Sequence, residues 1–458
     1  MLFNSIEFLV FFLAVFVLFA IGGKWRWLIL LGASYFFYMA WKWEYIILIL
    51  ASTIIDFLCG RGMANSPDDT VRKRYLYLSI ISNLGILITF KYFNFFIDSI
   101  ESVLEIKNNI YLNVILPVGI SFYTFQTMSY SVDVYHRRIP AEKHLGYFAL
   151  YVAYFPQLVA GPIERAGHIL HQFKNSFQLK AENVFFGAQL ILWGLFKKVV
   201  IADRLALFVD PIFNNTEHYH GASFALASFF FGIQIYCDFS GYTDMAIGLS
   251  KMFNIDLIKN FDRPYFSKSI SEFWKRWHIS LSRWFRDYLY IPLGGNRVLK
   301  MRWVLNIMIT FVLSGLWHGA NWTFIIWGAL HGFYLLAERF LPQVKLPSFF
   351  KILLTFLLVQ FAWIFFRANN LDEAWIIIST IFSPDFKLNL LYSEIVKTGI
   401  SELNFVLSAL LIASLYLKEA LYKVPKPFVL KLIYLILVLF GIILFGIDNS
   451  KAFIYFQF

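Results

Sequence analysis

Two histidines, each set among tryptophans in otherwise apolar surroundings, are the residues of this chain best placed to do chemistry. His318 stands in Trp317-His318-Gly319-Ala320-Asn321-Trp322, at the end of an apolar run where hydrocarbon would call for Leu or Phe. An imidazole titrates near neutral pH, and an ionisable side chain at membrane depth is costly, so it marks a functional site by default. The competing role is a histidine hydrogen-bonded between packed helices, equally ordinary for a single residue. His278 lies in the run from Glu272 to Tyr288. At about 100° per residue, Phe273, Trp274, Trp277, Leu281, Trp284, Phe285 and Tyr288 share one helical face, and Lys275, Arg276, Arg283 and Arg286 the other. That pattern predicts an amphipathic interfacial helix. Membrane anchoring accounts for its Trp and Arg residues, but an anchor gains nothing from an imidazole at the edge of the aromatic face.

Other polar groups fall within or between the apolar runs. Asp238 and Asp244, in Asp238-Phe239-Ser240-Gly241-Tyr242-Thr243-Asp244, need partners at membrane depth, and Arg263 and Arg297 are the candidates for structural ion pairs. Gly294-Gly295 permits a tight turn but is too short for a nucleotide-binding glycine loop. His168 and His171 have a helical metal-ligand spacing without a further ligand cluster, which predicts a solvated face and no metal. Cys59 and Cys237 lie in or beside apolar runs, which argues against a disulfide framework or a thiolate metal site.

The elements that must position these residues are membrane spans. Hydrophobic residues make up 59% of the 458-residue chain and charged residues 15%, and the mean hydropathy is +0.62. These values define an all-α polytopic membrane protein, expected to form one integral-membrane domain over residues 1–458. The apolar segments amount to about a dozen spans on the roughly 20-residue criterion. Residues 147–160 are interrupted by Pro156 and ended by Gly161-Pro162, which predicts a re-entrant piece. The first span lacks a basic leader and a small-residue cleavage site, so it is expected to be retained.

The net charge of +11 is spread between apolar segments in the manner of the positive-inside rule, which argues for topology rather than nucleic-acid binding. Lys24, Arg26, Arg61, Arg72, Lys73, Arg74, Arg137 and Arg138 mark the cytoplasmic loops. The N-terminus and the base-poor loops carrying Asp98, Glu101 and Glu105, or Asn214, Asn215, Glu217 and His218, are expected outside. The connection from Lys251 to Arg302 is the most basic and is expected to be cytoplasmic.

Five motifs together resemble the membrane-bound O-acyltransferase family, in its bacterial polysaccharide O-acetylation branch. They begin at Ser121, Pro156, Tyr236, Glu272 and Gly315, and run to Asp133, Pro162, Asp244, Ser282 and Trp322, so the motif-bearing core covers about residues 116–332. Trp363-Ile364-Phe365-Phe366-Arg367 resembles the same branch. The resemblance implies a helical membrane enzyme with re-entrant and interfacial helices around a central tunnel. It implies acetyl-CoA as acyl donor with no metal, His318 as the active-site histidine, and His278 as the second histidine of the branch. Acyl transfer from a thioester needs a base for the acceptor hydroxyl, and neutral imidazole suits that task. On this basis Lys275, Arg276, Arg283 and Arg286 are expected to attract the CoA phosphates. Asn321, Trp317, Asp238 and Ser240 are oxyanion or tunnel candidates. The implied partner is an extracytoplasmic serine-hydrolase-like (SGNH) O-acetyltransferase, and the implied location is the bacterial inner membrane.

For the acceptor, peptidoglycan is favoured over alginate, because Lys outnumbers Arg and Phe and Ile abound, as in an AT-rich genome. Another exopolysaccharide remains the alternative. From a different class, a secondary transporter or flippase would also use broken helices and buried His and Asp residues. Its usual internal repeat is not visible in the two halves of the chain.

Overall fold

A computed structural model describes residues 1–106, 110–342, 345–421, 428–447 and 453–454. Among the described residues all regular structure is helical. Six helical stretches have the length and apolarity to cross a bilayer: Trp43–Asn65, Asp69–Leu104, Ala181–Asn214, Gly221–Met252, Ser348–Arg367 and Glu402–Ala420. Ile6–Ile21 and Leu432–Phe445 are apolar but shorter. The chain is thus an all-α polytopic membrane protein. It forms two compact units, one of Met1–Leu190 with Met245–Lys259, the other of Ile191–Asp244 with Asn260–Phe458.

The first unit opens with α1 (Ile6–Ile21), whose first turn is capped by the Ser5 hydroxyl accepting from Phe8 N–H at 3.2 Å. There follow α2 (Arg26–Met39), α3 (Ile46–Asn65) and α4 (Asp69–Leu87), the last running through a π turn into α5 (Phe93–Leu104), and then α6 (Ile120–Tyr135). A carboxylate buried in α3, Asp56, is satisfied by hydrogen bonds from the neighbouring helices. Asn83 Nδ2 donates to its two oxygens at 3.0 and 2.8 Å, and the Ser79 hydroxyl donates at 2.5 Å. Residues 147–160, expected to be re-entrant, fall in a broken pair, α7 (Leu145–Ala153) and α8 (Phe155–Leu158), with Tyr154 non-helical at the break. Pro156 occupies the first turn of α8, where its missing N–H costs nothing, and residues 148–163 are buried throughout. In α9 (Ala166–Lys174) His168 Nδ1 lies 2.8 Å from the buried Glu164 carboxylate, and this hydrogen bond raises the His168 pKa. His168 is therefore a structural clasp rather than only a solvated face. Among the described residues, no group of three or more His, Cys, Asp or Glu is placed to hold a metal.

The second unit carries both candidate histidines. From α10 (Ala181–Leu195) the chain passes through a π turn, Phe196–Ala202, into α11 (Asp203–Asn214) and then α12 (Gly221–Met252). The π turn aims two consecutive lysines at α12. Lys197 Nζ meets Asp244 at 2.8 Å and the Ser240 hydroxyl at 2.8 Å, while Lys198 Nζ meets Asp238 at 2.6 Å and Asp203 at 2.8 Å. Asp238 and Asp244 do form ion pairs, but not with the arginines expected from the sequence. They face the turn between α10 and α11 instead of the basic connection, and Arg263 pairs with Asp262 at 3.0 Å.

That connection holds α13 (Ile270–Arg276) and α14 (Ile279–Phe285). It leads into the hairpin of α15 (Lys300–His318) and α16 (Trp322–Phe340). The remaining helices are α17 (Ser348–Arg367), α18 (Leu371–Ile381), α19 (Leu391–Lys397), α20 (Glu402–Ala420) and α21 (Phe428–Phe445). The hairpin is packed backbone to backbone. A Cβ on Gly315 would meet Phe324 O at 2.1 Å, and one on Gly328 would meet Phe311 O at 2.2 Å. Small residues at such contacts let membrane helices approach closely and gain dispersion energy.

Candidate functional site

The site is made by a break in the helix that the aromatic periodicity predicts over residues 272–288. The burial pattern follows that prediction, since Phe273, Trp277, Leu281, Trp284 and Phe285 are buried while Lys275, Arg283 and Arg286 are exposed. The continuity does not. Trp277 is extended (φ −102°, ψ 130°) and His278 is left-handed (φ 42°, ψ 54°), which separates α13 from α14. A non-glycine residue in that region stores strain of about 1–3 kcal/mol and persists only where its surroundings hold it. Here the holder is Asn260, which is fully buried. Its carbonyl accepts from Ile279 N–H at 2.9 Å, and its Oδ1 accepts from Ser280 N–H at 3.1 Å and from the Ser280 hydroxyl at 2.6 Å. Asn260 satisfies the first N–H groups of α14, which has no side-chain cap of its own. Asp262 N–H donates to Arg276 O at 2.9 Å and fixes the strand of chain before the break.

The break points the His278 ring into the protein, beside the end of α15. The ring centroids of His278 and His318 lie 6.0 Å apart, and Trp317 touches both, at 5.8 and 5.0 Å. Phe239 of α12 meets His278 edge-on at 4.7 Å, while Trp327 and Phe366 pack on His318 at 5.0 and 5.4 Å. His278 is 0% and His318 3% exposed. Because His278 belongs to the connection between spans and is wholly buried, desolvation pushes its pKa down from 6.5 to about 3, so the ring is neutral at physiological pH.

A third imidazole belongs to the same aromatic cage. His331, on α16, stacks on Phe273 at 6.0 Å and packs against Trp274 and Trp327, each at 5.0 Å. Neither of its ring nitrogens has a hydrogen-bond partner. The sequence reading passed over it, although His331-Gly332 repeats the His-Gly pair of 318–319 and is a legible signal.

Two cavities adjoin this cage. The larger, about 1110 Å³, is lined by Lys275, Arg283, Arg286, Lys300 and Arg339, and by Trp274, Ile279 and Ser314 close to the histidines. Three of the four cations expected to meet an anionic donor are thus brought together. The fourth, Arg276, is not in the lining and bonds Glu272 at 2.5 Å. Lys300 and Arg339 join the set because the hairpin returns them to it, a long-range placement that spacing within 272–288 could not indicate. The turn at Gly294-Gly295 borders this cavity. Both glycines have positive φ (106° and 56°), and Asn306 Nδ2 fixes the turn by donating to the carbonyls of Leu293 and Gly295 at 3.2 and 3.0 Å.

The smaller cavity, about 400 Å³, begins at the residue after His318. Gly319, Ala320 and Asn321 line it with Lys198, Asp203, Asp210, Gln234, Asp238, Phe366 and Arg367. Of the oxyanion or tunnel candidates, Asp238 and Asn321 face this space, Trp317 packs between the two histidines, and Ser240 lies outside the lining, bonded to Lys197. Asn321 is occupied at both ends of its amide. Its Oδ1 caps α16 by accepting from Thr323 N–H at 3.0 Å, and its Nδ2 donates to Asn369 O at 2.9 Å.

Each imidazole neighbours a cavity residue in the chain, His278 beside Ile279 of the cationic cavity and His318 beside Gly319 of the polar one. The model of the membrane-bound O-acyltransferase family matches residues 136–371, and the chain belongs to that family. It is 41% identical over 392 residues to a probable alginate O-acetylase of Azotobacter vinelandii, covering 84% of this chain and 78% of the relative. It is 37% identical over 380 residues to a peptidoglycan O-acetyltransferase of Helicobacter pylori, covering 76% and 72%. A teichoic acid D-alanyltransferase of Bacillus subtilis is more distant, 28% identical over 279 residues, with 56% and 70% covered. The protein is a multi-pass membrane O-acyltransferase.

Proposed function

We propose that this protein moves an acetyl group from cytoplasmic acetyl-CoA across the membrane for O-acetylation of an extracytoplasmic cell-envelope polysaccharide, with peptidoglycan ahead of alginate or another exopolysaccharide. The observation that carries the proposal is the pair of buried imidazoles, 6.0 Å apart, adjoined by one cavity lined with Lys and Arg and another lined with mixed polar groups. Lys275, Arg283, Arg286, Lys300 and Arg339 would hold the CoA phosphates, and the positive-inside rule puts their connection in the cytoplasm. His318 takes the proton of the acceptor hydroxyl as its oxygen attacks the thioester carbonyl. The carbon–sulfur bond then breaks, and CoA leaves as the thiol with the proton returned from His318. His278 positions the donor or relays a proton. Backbone N–H groups near Gly319 or the second Nδ2 hydrogen of Asn321, whose other hydrogen is given to Asn369 O, are the oxyanion donors in this reading. The aromatic cage keeps water from the thioester. An extracytoplasmic serine-hydrolase-like O-acetyltransferase is the proposed partner that completes the modification of the polymer, and the inner membrane is the proposed location.

Support for peptidoglycan comes from the Helicobacter pylori relative and the Lys-, Phe- and Ile-rich composition. The test is base-releasable acetate in purified peptidoglycan from wild-type cells, a deletion, and His318→Ala at matched expression. Acetate is expected to fall in both altered strains. Unchanged acetate in both would reject this acceptor. Release of CoA from acetyl-CoA by the purified protein separates the enzyme from a transporter.

A further inference from the structure

We infer that the tryptophan stack beside His318 sets the length of the acyl group, admitting the short acyl of an acetyl thioester and excluding longer chains. The inference rests on the acyl-transfer reading above and adds to it the residues that choose the donor. Ser314 lines the cationic cavity one turn of α15 before His318, so a thioester held there presents its acyl group to the rings around that histidine. Those rings are tightly interlocked. Trp327 packs on His318 and on His331, each at 5.0 Å, and stacks on Trp363 at 5.7 Å. Trp363 in turn meets Trp277 at 5.0 Å and Phe366 at 5.1 Å, and Phe366 returns to His318 at 5.4 Å. Trp277 and Trp327 are 0% exposed and Trp363 1%. An interior packed in this way takes in further methylenes only by forcing side chains off their rotamers.

The use of indoles here marks the stack as more than core. A buried indole N–H ordinarily finds an acceptor, and one left without a partner is destabilising. The Nε1 atoms of Trp274, Trp277 and Trp327 are all buried without a hydrogen-bond partner, as are both ring nitrogens of His331, which touches Trp274 and Trp327. Phe or Leu would fill most of the same space with no polar atom to bury. What the indole adds is bulk, and it is concentrated where the acyl group must end. Trp274 carries the stack to the donor, since it lines the cationic cavity on one side and meets Trp327 at 5.8 Å on the other.

The test compares acetyl-CoA, butyryl-CoA and hexanoyl-CoA as donors for the full chain in lipid nanodiscs, with CoA release read as kcat/KM. One methylene in a fitted apolar pocket is worth about 10- to 200-fold, so the wild-type protein is expected to favour acetyl-CoA over butyryl-CoA by roughly a hundredfold or more. Trp327→Ala is expected to narrow that ratio by about tenfold or more, the worth of one methylene, with hexanoyl-CoA gaining as well. Trp363→Phe removes less volume, keeps the comparison open where Trp327→Ala fails to fold, and is expected to shift the ratio in the same direction. A stack that is only core would lower kcat/KM for all three donors together. Comparable wild-type rates with acetyl-CoA and butyryl-CoA overturn the inference, as does an unchanged ratio in a variant whose melting temperature shows it to be folded. Failure of the acyl-transfer reading is seen separately, as CoA release from acetyl-CoA that is absent or does not depend on His318.

Discussion

Replacing Asn260 with Ala should cripple the enzyme without touching any group that meets donor or acceptor. Asn260 Oδ1 accepts the N–H and the hydroxyl of Ser280, both buried, at 3.1 and 2.6 Å. Leaving a buried donor unsatisfied costs about 1–3 kcal/mol, so the loss of the clamp is on the order of 2–4 kcal/mol. The left-handed backbone of His278 stores about 1–3 kcal/mol that the clamp offsets. With the side-chain half of the clamp gone and only the backbone carbonyl left on Ile279 N–H, the balance tips, residue 278 relaxes toward an ordinary φ, and its ring leaves the 6.0 Å spacing from His318. A displacement of about 1 Å at a reacting group can cost on the order of a hundredfold in rate. The assay is CoA release from acetyl-CoA by purified protein in nanodiscs, with the melting temperature measured alongside. Asn260→Asp is the rescue, because it keeps the accepting oxygen, and the lost Nδ2 has no hydrogen-bond partner in the native protein. Expected are a drop of roughly a hundredfold for Ala and substantial recovery for Asp. Full activity in Asn260→Ala would falsify the positioning argument, as would equal loss in both variants.

His318→Ala should lower CoA release by roughly 10²–10⁴-fold, the worth of a general base, and lower the melting temperature too, because the ring is packed among Trp317, Trp327 and Phe366; activity within a few-fold of wild type would remove His318 from the mechanism. Lys300→Ala and Arg339→Ala should raise the KM for acetyl-CoA more than they lower kcat, whereas Arg276→Ala, off the cavity and bonded to Glu272, should leave KM unchanged. The reverse order would relocate the donor site. His278 titrates near pH 3 when folded and near 6.5 when unfolded, so between those values the unfolded chain binds the extra proton. Its contribution to stability is complete above about pH 6.5 and declines as the pH falls toward 3. Replacing it by Gln should flatten the fall in melting temperature from pH 7 to 4, and parallel curves for the two proteins would contradict the burial argument.

What the sequence made legible follows from which forces are local. The aromatic and cationic faces over 272–288 emerge in the burial pattern because side-chain period depends only on helical geometry, and both members of the His278 and His318 pair come from motifs read directly. The break at His278 was not legible. It is imposed by Asn260, whose hydrogen bonds to residues 279 and 280 override a strong helical period, and nothing near His278 announces it. The partners of Asp238 and Asp244 were missed for the same reason. Nearby arginines looked eligible by charge, but a π turn some forty residues earlier presents Lys197 and Lys198 on consecutive positions, and one extra residue in a helical turn leaves no compositional trace.

The hairpin that carries His318 and His331 also shows how helices too polar to qualify as spans are held in the fold. Neither α15 nor α16 is among the stretches apolar enough to qualify as a span, because Lys300, Arg302, Glu338 and Arg339, together with His, Trp, Gly and Asn residues, stand in place of Leu and Ile there. Hydrocarbon gives such helices little reason to insert on their own, so their stability must come from packing within the protein. Gly315 and Gly328 provide it by bringing the backbones into contact, with Phe324 O and Phe311 O closing the space that a Cβ would need. The same contact fixes the end of α15, where Gly319 breaks the helix and sets His318 beside the cavity of Lys198 and Asp238. Gly319 is itself under the Phe324 ring, at 2.1 Å from where a Cβ would stand. The glycines around the catalytic candidate thus act together: two draw the helices close enough to compensate for the polar residues the chemistry requires, and the third ends the helix where an aromatic wall leaves no room for a side chain.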